Sequence, residues 1–249
     1  MLDPQKATEK AVPNHERVYR RMRARMMHGV AQPGQALTIR GIAREFGVSM
    51  TPAREAVRRL AAEGALMLSP SGRITTPTLT NERLEELVAL RALLEPELGS
   101  RALPRAHGAL IDRMQEINRQ TAQVLGSGDA VGYVRLNLEF HRNLYLRAQA
   151  PAMLALVETV WLQLGPTMRR LYSAERRETV FGSHGKILSA LRAGDEPGLR
   201  VAIRADVTGG LRMLLAGSAG ARDLERAAFA ATAGRTTLIV AHRLTQARR

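Results

Sequence analysis

The chain has 249 residues, 45% of them hydrophobic, which is enough for a real core and suggests one large domain or two smaller ones. It contains no cysteine, which excludes disulfides and thiolate zinc sites, and no apolar run approaches the roughly 20 residues of a membrane span. Half of the net charge of +14 falls in residues 1–77, which hold 13 Lys/Arg against 6 Asp/Glu, and this excess favours a polyanionic partner such as nucleic acid.

An N-terminal unit is predicted for residues 14–77, after an arm of residues 1–13. The arm has no apolar signal segment, so we expect a cytoplasmic protein. Apolar residues at helical spacing predict three helices in the unit, over 14–31, over 38–46 and from just after Thr51. Gly47 follows the second helix, and Thr51 is a suitable N-cap for the third. The stretch LMLSPSGRITTP then predicts a small β-hairpin.

The second and third helices, joined by GVSMT, have the layout of a helix-turn-helix, in which the second helix enters the major groove of DNA by its N-terminal end. The side chains offered there are those of Ser49, Met50, Thr51, Arg54 and, one turn further, Arg58. Arginine suits both a bidentate contact with guanine and a contact with phosphate. The hairpin would act as a wing, with Arg73 beside Gly72 at its tip. Solvated surface charge is the competing interpretation for each arginine.

From residue 78 onward, long helical patterns follow one another with breaks that contain Pro, Gly or Asp. No alternating strand pattern of any length appears. We expect helices over 80–101, 107–126, 130–149, 151–174, 178–193 and 196–216. The predicted fold class is therefore mainly α, with an N-terminal winged helix-turn-helix (three helices plus a small β-hairpin) followed by an all-helical bundle.

A metal site is indicated by RLNLEFHRNLY, in which Asn137 and His141 stand four residues apart on one helical face. This spacing allows an amide oxygen and an imidazole to meet at a single cation. A hydrogen-bonded histidine inside the helical core is the competing interpretation.

The motifs of the N-terminal unit carry a family resemblance. The pattern TIRGIAREFGVSMTPAREAVRRLAAEGAL…GRI, preceded by VYRRMRARMMHGVAQPGQAL, resembles the winged helix-turn-helix of the GntR family of bacterial repressors over about residues 14–77. The resemblance implies that the family's DNA contacts fall on Arg40, Ser49, Thr51, Arg54 and Gly72. Met50 departs from the pattern, because the family usually has at this position an arginine that reads a base.

Residues 78–216 resemble the FCD ligand-binding domain of the FadR-like subgroup, through LEELVALRALLEPELGSRAL, NLEFHRNLY and SHGKILSALRAGDEPGLRVAIRADV. Many such domains hold a divalent metal, and the resemblance places its ligands at Asn137, His141, His184 and Asp206. Histidine is usual where Asp206 stands. The set suits zinc, nickel or manganese. Both a weakened metal site and the loss of the metal stay open.

FCD domains commonly sense small organic acids, with the metal or an arginine holding the carboxylate. The arginine implied by position is Arg91, which shares a helix face with Leu84 and Val88. An internal salt bridge between Arg91 and Glu95, one helical turn further on, is an equal alternative.

These features together predict a homodimeric, ligand-responsive transcriptional regulator, most simply a repressor, that binds a double-stranded DNA operator and no membrane. A metal-dependent enzyme built on the helical bundle is one alternative, although Glu139, the acid nearest His141 in sequence, is expected on another helix face. A DNA-binding protein without sequence preference is the other alternative, since Met50 replaces a base-reading arginine.

The last 33 residues, 217–249, form an atypical tail. Its stretch GRTTLIVAHRLTQARR resembles the switch-histidine segment of ABC transporter ATPases, with His242 at the switch position. That segment acts beside a nucleotide-binding loop, and the sequence has no G-x-x-x-x-G-K-[ST]. We therefore do not expect an ATPase.

Overall fold

The structure is a computed structural model that describes residues 13–171 and 177–210. Most of the predicted N-terminal arm (1–13) and all of the tail (217–249), including its switch-like histidine, lie outside the described residues. The described part is mainly helical with one small antiparallel sheet, as predicted. None of its helices has the length and apolarity needed to span a bilayer.

The N-terminal unit consists of three helices and three two-residue strands. Their order is α1 (Asn14–Met27), β1 (Ala36–Leu37), α2 (Ile39–Phe46), α3 (Met50–Ala62), β2 (Met67–Leu68) and β3 (Ile74–Thr75). The sheet order is β1-β3-β2, with Leu37 and Leu68 both opposite Ile74. The hairpin of β2 and β3 confirms the predicted wing. Strand β1 was not predicted, because two residues are too few to show alternation.

Two predicted boundaries in this unit were wrong. Helix α3 begins at Met50 with Ser49 as N-cap, whereas the sequence placed the N-cap at Thr51. The Ser49 side chain makes no capping hydrogen bond, so the sequence signal of a capping hydroxyl did not decide the start. Helix α1 ends at Met27, four residues early, since Gly29 turns the chain into the left-handed region (φ 67°). Gly47 ends α2 in the same conformation, as expected.

The second half is built from helices throughout the described residues. They are α4 (Asn81–Ala102), α5 (Gly108–Val124), α6 (Ala130–Tyr145), α7 (Pro151–Met168), α8 (Arg177–Ala193) and α9 (residues 196–210). Short 3-10 turns, Leu146–Ala148 and Arg169–Leu171, replace the predicted ends of α6 and α7. The six helices correspond to the six predicted patterns.

A continuous hydrophobic core joins the two halves. In the second half, α5 packs against α6 and α8, and α4 packs against α7. Helix α7 also packs against α1, so it touches both halves of the molecule. This contact is so close that a Cβ added to Gly165 of α7 would lie 2.0 Å from the Met26 carbonyl oxygen. The two backbones therefore meet with no side chain between them.

Candidate DNA-binding surface and metal centre

Helix α3 has one buried face and one open face. Ala53, Ala56, Val57 and Leu60 are buried, and they face α1 and the core of the N-terminal unit. Helical periodicity then turns the other face outward. Met50 lies at the first turn of that face, with 46% of its surface exposed.

The structure places every predicted DNA-contacting residue at the surface of the N-terminal unit. The exposed set is Arg40, Ser49, Met50, Thr51, Arg54, Arg58, Gly72 and Arg73. Within the described residues, none of the four arginines of the set forms an ion pair, although many other arginines do. Exposed guanidinium groups without an ion pair are available to phosphate and to base edges.

Arg59 differs from these arginines, because the N-terminal unit uses its charge internally. Its guanidinium lies 3.6 Å from the centre of the Tyr19 ring and donates to Glu16 over 2.6 Å. The two contacts bind α3 to α1. Position on α3 therefore separates arginines that face solvent from one that holds the helix in place.

The second candidate site lies inside the helical half, where three helices bring their polar side chains together. His141 of α6, His184 of α8 and Asp206 of α9 each offer a ligand atom, and these atoms lie within 4.8 Å of one another. Both histidines are fully buried. The Phe140 ring stacks on His184 at 3.9 Å and fixes its plane. The separation suits three ligands of one cation.

The hydrogen bonds behind the two imidazoles fix which nitrogen faces the centre. Nδ1 of His184 lies 3.0 Å from the side-chain amide oxygen of Asn118, which can only accept a hydrogen bond, so Nδ1 carries the proton and Nε2 keeps its lone pair. Nδ1 of His141 lies 3.3 Å from the Tyr145 hydroxyl, which already donates to Glu95 over 2.9 Å. The hydroxyl oxygen therefore accepts from Nδ1, and Nε2 is the nitrogen of His141 that faces the centre. Partners of this kind orient metal-binding histidines in proteins.

The imidazole nitrogens that face the centre are unsatisfied within the described part of the chain. Neither Nε2 has a hydrogen-bond partner among the described residues, although Nε2 of His141 lies 3.0 Å from Oδ2 of Asp206. A lone pair facing a carboxylate at this distance is unfavourable without a cation or a proton between them. The residues therefore fit a divalent metal on geometry and on donor chemistry.

The charge states at neutral pH match this role. Burial lowers the pKa of His184 to about 4, so its imidazole is neutral. Burial alone would raise the pKa of Asp206, but the neighbouring His141, His184 and Arg91 outweigh it and bring that pKa to about 2. A neutral imidazole and an ionised carboxylate are the forms that bind metals.

The two other predicted residues of this region have different surroundings. Asn137 is buried on α6, one turn before His141. Arg91 is buried and pairs with the fully buried Glu95, at 2.5 Å between Nε and Oε1. The alternative of an internal salt bridge is thus present in the structure. Glu139 faces outward to Arg113, as its helix position predicted.

Several residues around the centre were not predicted as parts of it. Asn118 stands among the buried residues Met114 and Ile117 of α5, and a polar residue inside an apolar stripe was the signal that could have found it. Glu95 accepts from Tyr145 and also from Trp161, at 2.9 Å to the indole Nε1. An open cleft of about 590 Å³ between α5 and α8 has Asn118 in its lining.

The chain is similar to known regulatory proteins over both of its halves. The family described as "Bacterial regulatory proteins, gntR family" matches residues 14–75, and the FCD domain matches residues 86–209. The HTH-type transcriptional regulator McbR of Escherichia coli (strain K12) is 30% identical over 176 residues, which are 69% of this chain and 79% of that protein. The gluconate operon transcriptional repressor of Bacillus subtilis (strain 168) is 28% identical over 152 residues, 61% of this chain and 60% of that protein.

A solved structure extends the similarity to the whole described fold. The structure of "E. coli McbR/YncC" matches with a TM-score of 0.78 at 26% identity, and the match covers 83% of this chain and 99% of that chain. The matched families and proteins are transcriptional regulators, which removes the alternative of an enzyme built on the bundle. The chain therefore belongs to the GntR family, as a DNA-binding transcriptional regulator with an FCD domain.

Proposed function

We propose that this regulator is a homodimeric repressor whose FCD domain holds a divalent metal and responds to a small organic acid. The proposal of metal binding rests on one observation. The buried Nε2 atoms of His141 and His184 lie near Asp206 and have no hydrogen-bond partners among the described residues. A core histidine of purely structural function would have both nitrogens satisfied.

The metal ligands in this proposal are Nε2 of His141, Nε2 of His184, a carboxylate oxygen of Asp206 and the amide oxygen of Asn137. Two imidazoles with oxygen ligands suit zinc, nickel or manganese. A metal ion held there would supply a cation that the carboxylate of the effector can coordinate. Asp206 replaces an imidazole of the usual family set, so a carboxylate stands where the family has a neutral ligand.

Arg91 is the second proposed contact for the effector. Its contacts with Glu95 use Nε and one terminal nitrogen, and the other terminal nitrogen, which makes no hydrogen bond with any described residue, is proposed to bind a carboxylate. Because the buried Glu95 already offsets the charge of Arg91, we expect the metal rather than this arginine to dominate the affinity for the acid.

The DNA-binding half of the proposal rests on the exposed arginines. A two-fold dimer presents two copies of α3, so we expect a palindromic operator whose half-sites lie about one helical turn, or a multiple of it, apart. Repression is proposed because the similar B. subtilis protein is named a repressor.

A mobility-shift assay tests the proposal, with the DNA upstream of the protein's own gene and random DNA of equal length compared across a salt series. We expect a preference for the upstream DNA that persists at each salt concentration. Equal affinity for both DNAs with a steep salt dependence would instead support binding without sequence preference. Elemental analysis of the same preparation tests the metal, for which we expect one equivalent per protomer.

A further inference from the structure

We propose that Gln163 is the positioning residue through which the metal centre acts on the recognition helix α3. Gln163 lies on α7, the helix that touches both halves of the molecule. This inference rests on the proposed metal centre and adds the route by which its occupancy changes operator binding.

The inner end of the route is a chain of buried hydrogen bonds. Trp161 of α7 donates its indole N–H to Glu95 over 2.9 Å. Glu95 accepts from the hydroxyl of Tyr145, and that hydroxyl lies 3.3 Å from Nδ1 of His141. A movement of the His141 ring on metal binding therefore reaches α7 through three polar contacts, all of which are removed from water.

The outer end lies two residues further along the same helix. Successive residues are about 100° apart around a helix axis, so Gln163 and Trp161 point to opposite sides of α7. Nε2 of Gln163 donates to the backbone carbonyl of Glu63 over 2.9 Å, and Glu63 is the C-cap of α3. Oε1 of Gln163 accepts from Arg83 of α4 over 2.8 Å, which holds the amide in this orientation.

The contact between Gln163 and the C-terminal end of α3 is closely packed, so α7 and α3 have little room to move relative to each other. A Cβ added to Gly64 would lie 2.9 Å from Nε2 of Gln163. The Glu63 side chain accepts from Tyr19 and Arg23 of α1, and Arg23 also pairs with Glu158 of α7 at 3.5 Å. Glu63 thus connects α1, α3 and α7, so a shift of α7 changes the placement of α3 rather than being absorbed by a loop.

The test compares Gln163→Met with Gln123→Met. Methionine keeps the length of glutamine and adds no charge, and Gln123 is an exposed residue of α5. Operator affinity is measured for each full-length protein with zinc and with a chelator, and zinc affinity is measured by calorimetry. For the unaltered protein and Gln123→Met, we expect the two operator affinities to differ about fivefold or more. For Gln163→Met, we expect a difference below about twofold with unchanged zinc affinity.

The fluorescence of the single tryptophan distinguishes a loss of coupling to α3 from a general change of structure around the metal centre. Since Trp161 is the only tryptophan, its emission reports the inner end alone. We expect zinc to change this emission equally in Gln163→Met and in the unaltered protein, although the operator response is lost. If Gln163→Met keeps the full operator response, or if zinc binds the unaltered protein without changing its operator affinity, the inference is wrong.

A second measurement decides the case in which zinc does not bind, which would refute the metal centre of the proposed function instead. Tyr145→Phe breaks the hydrogen-bond chain without any metal, and its effect on operator affinity is measured in the unaltered and Gln163→Met backgrounds. The inference predicts an effect that disappears in the Gln163→Met background. The inference is overturned if Tyr145→Phe changes operator affinity by the same factor in both backgrounds, or if it does not change operator affinity at all.

Discussion

Nε2 of His141 lies 3.0 Å from Oδ2 of Asp206, while Nδ1 of the same ring is turned away from the carboxylate, towards the Tyr145 hydroxyl. Two electron-rich atoms are thus held together in the interior by helices α6 and α9. This arrangement is costly by itself and becomes favourable when a cation lies between the atoms. The stability of the helical half should therefore depend on metal.

Replacement of a proposed ligand tests that dependence. We expect His184→Gln to lower zinc affinity at least about 100-fold, because it removes a ligand together with the hydrogen bond to Asn118 that orients it. Zinc should then no longer raise the melting temperature, since the stabilisation follows the ratio of zinc concentration to its dissociation constant. Calorimetry and thermal melts measure both effects. His15→Gln, on α1, is the control and should behave as the unaltered protein does; loss of zinc binding there as well would contradict the assignment.

The pKa of His184 predicts how the metal-free protein responds to acid. The folded protein has this pKa at about 4, below its ordinary value of 6.5. Between these two values the unfolded chain takes up a proton that the folded protein does not, so the free energy of unfolding falls as pH drops from 6.5 to 4. At about 1.4 kcal/mol per unit, the loss amounts to about 3 kcal/mol.

Urea unfolding of the chelated protein across that pH range measures this loss. His184→Gln should remove it, whereas Asp206, with a pKa lowered from 3.8 to about 2, contributes only below pH 4. An unfolding free energy that is flat between pH 6.5 and 4, or identical slopes in both proteins, would show that His184 is not buried in its neutral form.

The arginines of α3 should separate into two functions. Arg54→Ala removes an exposed, unpaired guanidinium, so we expect operator affinity to fall about 10- to 100-fold while the free energy of unfolding stays within about 0.5 kcal/mol. Arg59→Ala removes the stacking on Tyr19 and the pair with Glu16, so we expect about 1 kcal/mol of destabilisation. Anisotropy titrations and urea unfolding measure the pair. If the two variants exchange these effects, the placement of α3 against DNA is wrong.

Met50 tests base recognition at the first turn of the same helix. Its unbranched apolar side chain cannot donate to guanine, although it can lie against a thymine methyl group. We expect Met50→Arg to tighten binding to operators of the family type and to change base preference at one position. Val201→Arg, which adds the same charge at an exposed site on α9, is the control. Unchanged affinity and preference in Met50→Arg would mean that Met50 does not face the groove.

Much of the fold follows from local patterns in the sequence. The six helices of the second half have long apolar periods and are broken by Gly, Pro or Asp, so each was predictable. The start of α3 was predicted two residues late, because Thr51 looks like a good cap although the chain uses Ser49. The spacing from Asn137 singled out His141, but His184 and Asp206 were implied by resemblance alone, since separate helices bring them to His141. Gln163 gave no signal at all, because its partner is a backbone carbonyl 100 residues away.

The most direct test of the account is the operator affinity of one protein preparation, measured by fluorescence anisotropy first in chelator and then in saturating zinc. The account predicts one zinc per protomer and a change in operator affinity of about fivefold or more, reversed by further chelator. An identical operator affinity in the two conditions, with zinc bound in the second, would contradict a regulator that acts through the His141–His184–Asp206 centre.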